Sequence, residues 1–196
     1  MMADSEQDMS PSPSYSKLLI RIASGLILAP LALTFVCLGG YWFLVFAGIG
    51  VALACSEWMQ MIKPLPYNHM HAMIGASYIA VFVGSLLALR MGFEQGAWLT
   101  IVMCLSVWSS DVGAYFTGKI IGGAKLAPLT SPKKTWAGLA GAMVWCGIMM
   151  IILIGVGDIL RPYINTDLHI GWSYAWIVFL VGCLIGLVGQ MGDLFI

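Results

Sequence analysis

Three acidic residues interrupt an otherwise apolar chain: Glu57, Asp111 and Asp193. A carboxylate carried into hydrocarbon costs about 2.5–3.5 kcal/mol at a helix centre on insertion scales, so it is retained for a partner or a task. Between the second and third acids lies a segment with four lysines, Lys119, Lys125, Lys133 and Lys134. Each ammonium is a compact charge with three donors, suited to phosphate oxygens. Carboxylates and amines brought to one surface could hold a divalent cation and a polyphosphate.

The elements that must position these groups follow from composition. Of 196 residues, 60% are hydrophobic and 9% charged, and the mean hydropathy is +0.92. That pattern belongs to an integral membrane protein. Apolar segments run roughly Leu18–Leu38, Tyr41–Trp58, Ala72–Leu89, Ala97–Phe116, Ala137–Gly157 and Trp172–Gly192. Each is near the ~20 residues that cross a bilayer as a helix, and the backbone must satisfy its own hydrogen bonds there. The expected fold is an all-α, polytopic transmembrane helix bundle of about six spans. Alternating strands of a membrane barrel are not seen. Residues 1–16, polar and rich in Ser and Pro, read as a disordered tail, and 17–196 as a single transmembrane domain. The five cysteines all lie in apolar stretches without a Cys-x-x-Cys pair and read as packing residues.

Orientation follows from the basic residues. With a cytosolic N-terminus, Lys17, Arg21, Lys63 and the four loop lysines are inside, and only Arg90 and Arg161 are outside. Asp111 then lies about 21 Å along the fourth helix, still within the membrane zone. Glu57 and Asp193 sit nearer the inner ends of the second and sixth helices, while Glu94, Asp158 and Asp167 fall in outer loops. Plainer readings stand beside these: Glu57 as an interfacial acid paired with Lys63, and Asp111 as a polar group holding helices together. In the sixth helix Gly182 and Gly186 form a Gly-x-x-x-Gly pair, continued by Gly189 and Gly192, which favours close approach of a neighbouring helix.

Residues 118–135 carry glycines at 118, 122 and 123 beside the lysines, and hydroxyls at Thr130, Ser131 and Thr135. Backbone N–H groups near glycine can cradle phosphate oxygens. Ser131-Pro132 reads as a helix start, with a Ser cap and Pro at the first helical position, where anions are favoured. Neither G-x-x-x-x-G-K-[S/T] nor G-x-G-x-x-G occurs. Cytosolic loops are also basic for topological reasons alone, so composition leaves phosphate binding and a plain topogenic loop both open.

Three stretches resemble one family: Asp111-Val-Gly-Ala-Tyr-Phe-x-Gly-Lys, Lys125-Leu-Ala-Pro and Ser131-Pro-Lys-Lys-Thr-Trp-x-Gly. They are similar to the phosphatidate cytidylyltransferases, or CDP-diacylglycerol synthases. Arg-Ile-x-x-Gly-Leu-Ile-Leu-Ala-Pro at 21–30, Glu57-Trp58 and Gly192-Asp193-Leu-Phe add to the resemblance, which spans most of 20–195. It departs at Ala137, commonly Glu in the family. It departs again after Gly-Asp-Leu-Phe, where the family continues into a further charged signature. The chain is therefore expected to be C-terminally incomplete and, alone, inactive.

The resemblance implies CTP and phosphatidic acid as substrates, CDP-diacylglycerol and pyrophosphate as products, and Mg²⁺ as cofactor. Asp111 and Asp193 are the expected metal ligands and, with Lys133 and Lys134, the catalytic set. Lys119, Lys125, Ser131 and Thr135 would bind the CTP or lipid phosphate, and Glu57 would support them from behind. The implied location is the bacterial inner membrane, with the site facing the cytosol and opening sideways to the lipid. Membrane lipids are expected partners, a homodimer is allowed, and no nucleic acid polymer is involved. Two rivals remain at this stage: a CTP-dependent polyprenol or lipid kinase, and a small transporter using Asp111 as an ion site.

Overall fold

A computed structural model describes residues 13–63, 68–128, 131–164 and 171–194. Six helices account for almost all of them: α1 Pro13–Leu38, α2 Gly40–Ile62, α3 Asn68–Met91, α4 Gly96–Ile120, α5 Trp136–Ile164 and α6 Ala175–Gly192. A 3₁₀ turn, Trp172–Tyr174, leads into α6. The all-α polytopic fold is as expected. Helices α2 to α6 each carry a stretch long and apolar enough to cross a membrane, and α1 carries the shorter apolar stretch Ser24–Leu38. α1 starts four residues inside the stretch read as tail, at a proline whose fixed φ and missing N–H suit a first helical position; residues 1–12 lie outside the described residues. Asp158 sits within α5, not in an outer loop: the run 148–160 is apolar enough to carry the helix past it. Asp167 lies outside the described residues.

The chain divides into two compact units, 1–50 and 51–196. In the first, α1 turns into the start of α2 at Gly39 and Gly40, both with positive φ (63° and 49°). Val36 and Phe43 are buried there, and the rings of Phe35 and Phe46 stack at 4.9 Å.

In the second unit, the end of α2 meets α3 through Trp58, whose Nε1 donates to the carbonyl of His71 at 3.0 Å and whose ring covers Gly75. The main body is α4 on α5 on α6. Small residues set its spacing. A Cβ at Gly113 would fall 2.5 Å from Trp145 Cβ, and one at Gly118 3.4 Å from Gly138 Cα. A Cβ at Gly182 would lie 2.6 Å from Gly147 Cα, and one at Gly186 2.8 Å from the carbonyl oxygen of Ala142. The expected close approach is there, with α5 as the neighbour. It stops at Gly186, because nothing lies within 4 Å of a Cβ at Gly189 or Gly192. Polar contacts add to the packing, as Ser109 Oγ donates to the carbonyl of Trp145 at 3.2 Å. Large apolar side chains such as Val81, Ile121 and Val188 remain about 70% exposed, a surface that suits lipid.

Between α4 and α5 the sequence reading lacked one element. Strands β1 Lys125–Ala127 and β2 Ser131–Thr135 form an antiparallel pair, with Lys125 opposite Thr135 and Ala127 opposite Ser131. Ala127 and Ser131 each precede a proline, and the proline ring pushes such residues out of the helical region into extended backbone. The helix start therefore does not fall at Ser131-Pro132. It falls at Trp136, with Thr135 as the cap: Gly138 N–H donates to Thr135 Oγ1 at 3.1 Å, the bond expected of a capping side chain three residues upstream.

Candidate active site: an acid-and-amine cleft at one end of the bundle

The end of α4, the hairpin, the start of α5 and the end of α6 surround a cleft of about 410 Å³, within the roughly 300–1,000 Å³ usual for ligand sites. All of it belongs to the second unit. Its walls hold Asp111, Tyr115, Gly118 and Lys119 from α4, Lys133, Lys134 and Thr135 from β2, and Gln190 with Asp193 from α6 and its C-terminal cap. On α4 the spacing 111, 115, 118, 119 puts acid, aromatic, glycine and amine on one face. Asp111 lies nine residues or about 13 Å before the helix end. Lys119 is at the rim, its Nζ 5.6 Å from the Tyr115 ring centroid, within cation–π range.

The polar groups form one connected network. Lys134 Nζ lies 3.4 Å from Asp193 Oδ2, the ion pair of the cleft, and donates to the carbonyl of Gln190 at 3.5 Å. Gln190 Nε2 donates to Asp111 Oδ1 at 3.2 Å. A neutral amide donor brings no positive charge to the carboxylate it holds.

Six of the nine residues singled out from the sequence line this cleft: Asp111, Asp193, Lys119, Lys133, Lys134 and Thr135. Lys125 and Ser131 are on the hairpin but outside the wall, Lys125 being exposed and Ser131 half-buried. Glu57, exposed on α2, is not in the wall. The structure adds two residues, Tyr115 and Gln190. Tyr115 was signalled by its spacing of four from Asp111. Gln190 was signalled by being an amide in an apolar span, three residues before Asp193.

Among the described residues no group of three or more His, Cys, Asp or Glu side chains could cage a metal. Two carboxylates in one wall nonetheless suit Mg²⁺, which keeps several waters and takes one or two carboxylates together with substrate phosphates.

Fold and cleft define a membrane-spanning helical bundle that presents acids and amines at one end. Residues 66–196 match the model of the cytidylyltransferase family. Along nearly its whole length the chain is similar to curated bacterial proteins. It is 30% identical to a phosphatidate cytidylyltransferase of Rickettsia bellii over 194 residues, 97% of this chain and 78% of that protein. It is 31% identical to one of Rickettsia prowazekii over 178 residues, 90% of this chain and 73% of that protein. A shorter match, 36% over 121 residues, is to a phosphatidate cytidylyltransferase of Brucella melitensis, covering 60% of this chain and 39% of that protein. No solved structure matches. The chain belongs to the cytidylyltransferase family and is thus a nucleotidyltransferase.

Proposed function

We propose that this protein transfers the cytidylyl group of CTP to phosphatidic acid, forming CDP-diacylglycerol and pyrophosphate for phospholipid synthesis. Family membership gives the group transferred; the observation that carries the reading to the site is the cleft itself, where two carboxylates and three lysines face each other at the end of a membrane bundle. Neither the kinase nor the transporter reading gains a specific observation.

Transfer to phosphorus depends on positioning and charge neutralisation more than on covalent help from protein. In this reading a phosphate oxygen of the lipid attacks the α-phosphorus of CTP in line, the bond to the β-phosphate oxygen breaks, and pyrophosphate leaves with the electron pair. Lys119 and Lys133 neutralise the triphosphate from the rim. Lys134 exchanges its contact with Asp193 for a phosphate oxygen, freeing that carboxylate. Thr135 Oγ1 already accepts from Gly138 N–H, so its hydroxyl proton remains to donate. Asp111 and Asp193 would hold Mg²⁺, which when bound supplies Lewis-acid neutralisation of the phosphate charge.

The lysine-rich end of the bundle faces the cytosol under the positive-inside rule, and the bacterial relatives favour the inner membrane as its site. Phosphatidic acid stays in the bilayer, so it reaches the cleft sideways at the headgroup level. Crosslinking in native membranes tests the homodimer. The deciding experiment is the full-length protein in vesicles containing phosphatidic acid, supplied with Mg²⁺ and CTP labelled at the α-phosphate. Label in CDP-lipid, with release of pyrophosphate, is the expected outcome and should vanish with a chelator. Label remaining in CDP beside new lipid phosphate would instead make the protein a kinase.

A further inference from the structure

We propose that Gln190 is a positioning residue for this reaction: its side chain sets the orientation of the Asp111 carboxylate, at a position whose backbone carbonyl receives Lys134. This inference rests on the function proposed above. Gln190 belongs to a stripe of α6, Gly182, Gly186 and Gln190, whose members recur every four residues and are all buried. The first two are places where α6 touches α5 through bare backbone. At the third level the stripe carries a primary amide that is only 6% exposed. A buried amide costs free energy unless its hydrogen bonds are made, and packing alone would be served by an apolar residue of the same size.

The amide meets that requirement in the cleft. Its Nε2 donates to Asp111 Oδ1 at 3.2 Å, while the backbone carbonyl of the same residue, which any side chain here would leave in place, accepts from Lys134 Nζ at 3.5 Å. The ammonium in turn lies 3.4 Å from Asp193 Oδ2. Gln190 thus touches both halves of the wall, Asp111 of α4 through its side chain and the lysine of β2 through its backbone carbonyl. The chemistry of the side chain matters. A lysine or arginine here would fix Asp111 but neutralise it. An amide fixes one oxygen and leaves the negative charge for a substrate-borne cation. Asparagine would fall one methylene short.

The rival explanation is plain helix-to-helix adhesion through an interhelical hydrogen bond. Adhesion and positioning separate in the near-isosteric Gln190→Met. Positioning predicts that kcat falls about 10–100-fold, the range seen when a group that orients a ligating side chain is removed. The KM for CTP should stay within about twofold of the unaltered protein, and the thermal midpoint should hardly move. Gln190→Glu, which sets a second carboxylate against Asp111, should fall further than Gln190→Met.

A spectroscopic arm is independent of turnover. The carboxylate stretch lost from the infrared spectrum in Asp111→Asn identifies the band of Asp111, and Gln190→Met should shift that band. Unchanged kcat in Gln190→Met, or an unmoved Asp111 band, overturns the inference. Failure of the full-length unaltered protein to make CDP-lipid overturns the proposed function instead, and the infrared arm then decides whether Gln190 orients Asp111.

Discussion

At the residue scale, the cleft separates groups by what they can exchange. Asp111 is held on one oxygen by a neutral amide, a partner that adds no positive charge where a cation-bearing triphosphate would meet it. Asp111→Asn keeps the shape and the helix but removes that charge. Turnover should fall on the order of 100-fold or more, the scale for losing one charge-stabilising group in a site, while expression and the thermal midpoint stay near those of the unaltered protein. Product formation and thermal unfolding on the same sample check it. Thr135 has two tasks, capping α5 and lining the cleft. Thr135→Val, which keeps the volume and loses the oxygen, should destabilise by about 0.5–2 kcal/mol, the range for a lost cap. It should also slow turnover, whereas Thr135→Ser should restore both. A Val variant as stable as the parent would show that the capping bond contributes nothing.

At the element scale, the packing of α6 gives a paired test. Glycine in a helix interior is roughly 0.5–1 kcal/mol worse than alanine on backbone grounds. Gly189→Ala meets nothing within 4 Å and should leave the thermal midpoint unchanged or slightly raised. Gly182→Ala would bring a methyl to 2.6 Å from Gly147 Cα and should lower it, because α5 and α6 must separate. Equal midpoints for the two variants would contradict the close approach. Much of this level was legible in sequence. Six apolar runs became six helices, since a bilayer leaves the backbone no other local way to satisfy itself, and the Gly182/Gly186 spacing announced a close neighbour. Three things were not legible. The hairpin was hidden because Ser131-Pro132 fits a helix start as well as an extended pair, and the pairing of Lys125 with Thr135 is a tertiary fact. Gln190 carried no motif, and its meaning depends on Asp111, 79 residues away. Glu57 looked like the other acids in sequence, yet the direction its side chain takes from α2 was not encoded in its spacing to them.

At the scale of the whole molecule, the proposed function requires the lysine-bearing end of the second unit to face the compartment that supplies the nucleotide. A cysteine placed at exposed Ala124, beside the hairpin, should resist a membrane-impermeant maleimide applied to intact cells, relative to the native cysteines as background, and react once the inner face is opened. Reaction from outside would reverse the orientation and remove CTP from the site. The layout of the cleft also bears on how the chain is made. Lys134 meets Gln190 across 56 residues, and Asp111 meets it across 79. At synthesis rates of about 5–20 residues per second, Asp111 waits roughly 4–16 s in the nascent chain before its amide partner leaves the ribosome. It waits in α4, whose apolar stretch has the lowest mean hydropathy of the five candidate spans, 1.4. For those seconds the fourth helix has to stay in the insertion machinery or the lipid on its own marginal hydrophobicity and on α5, which follows directly. Biogenesis should therefore be paced by α6: slowing translation across it should expose α4 to quality-control proteolysis, and Asp111→Leu should abolish that sensitivity even as it destroys the cleft.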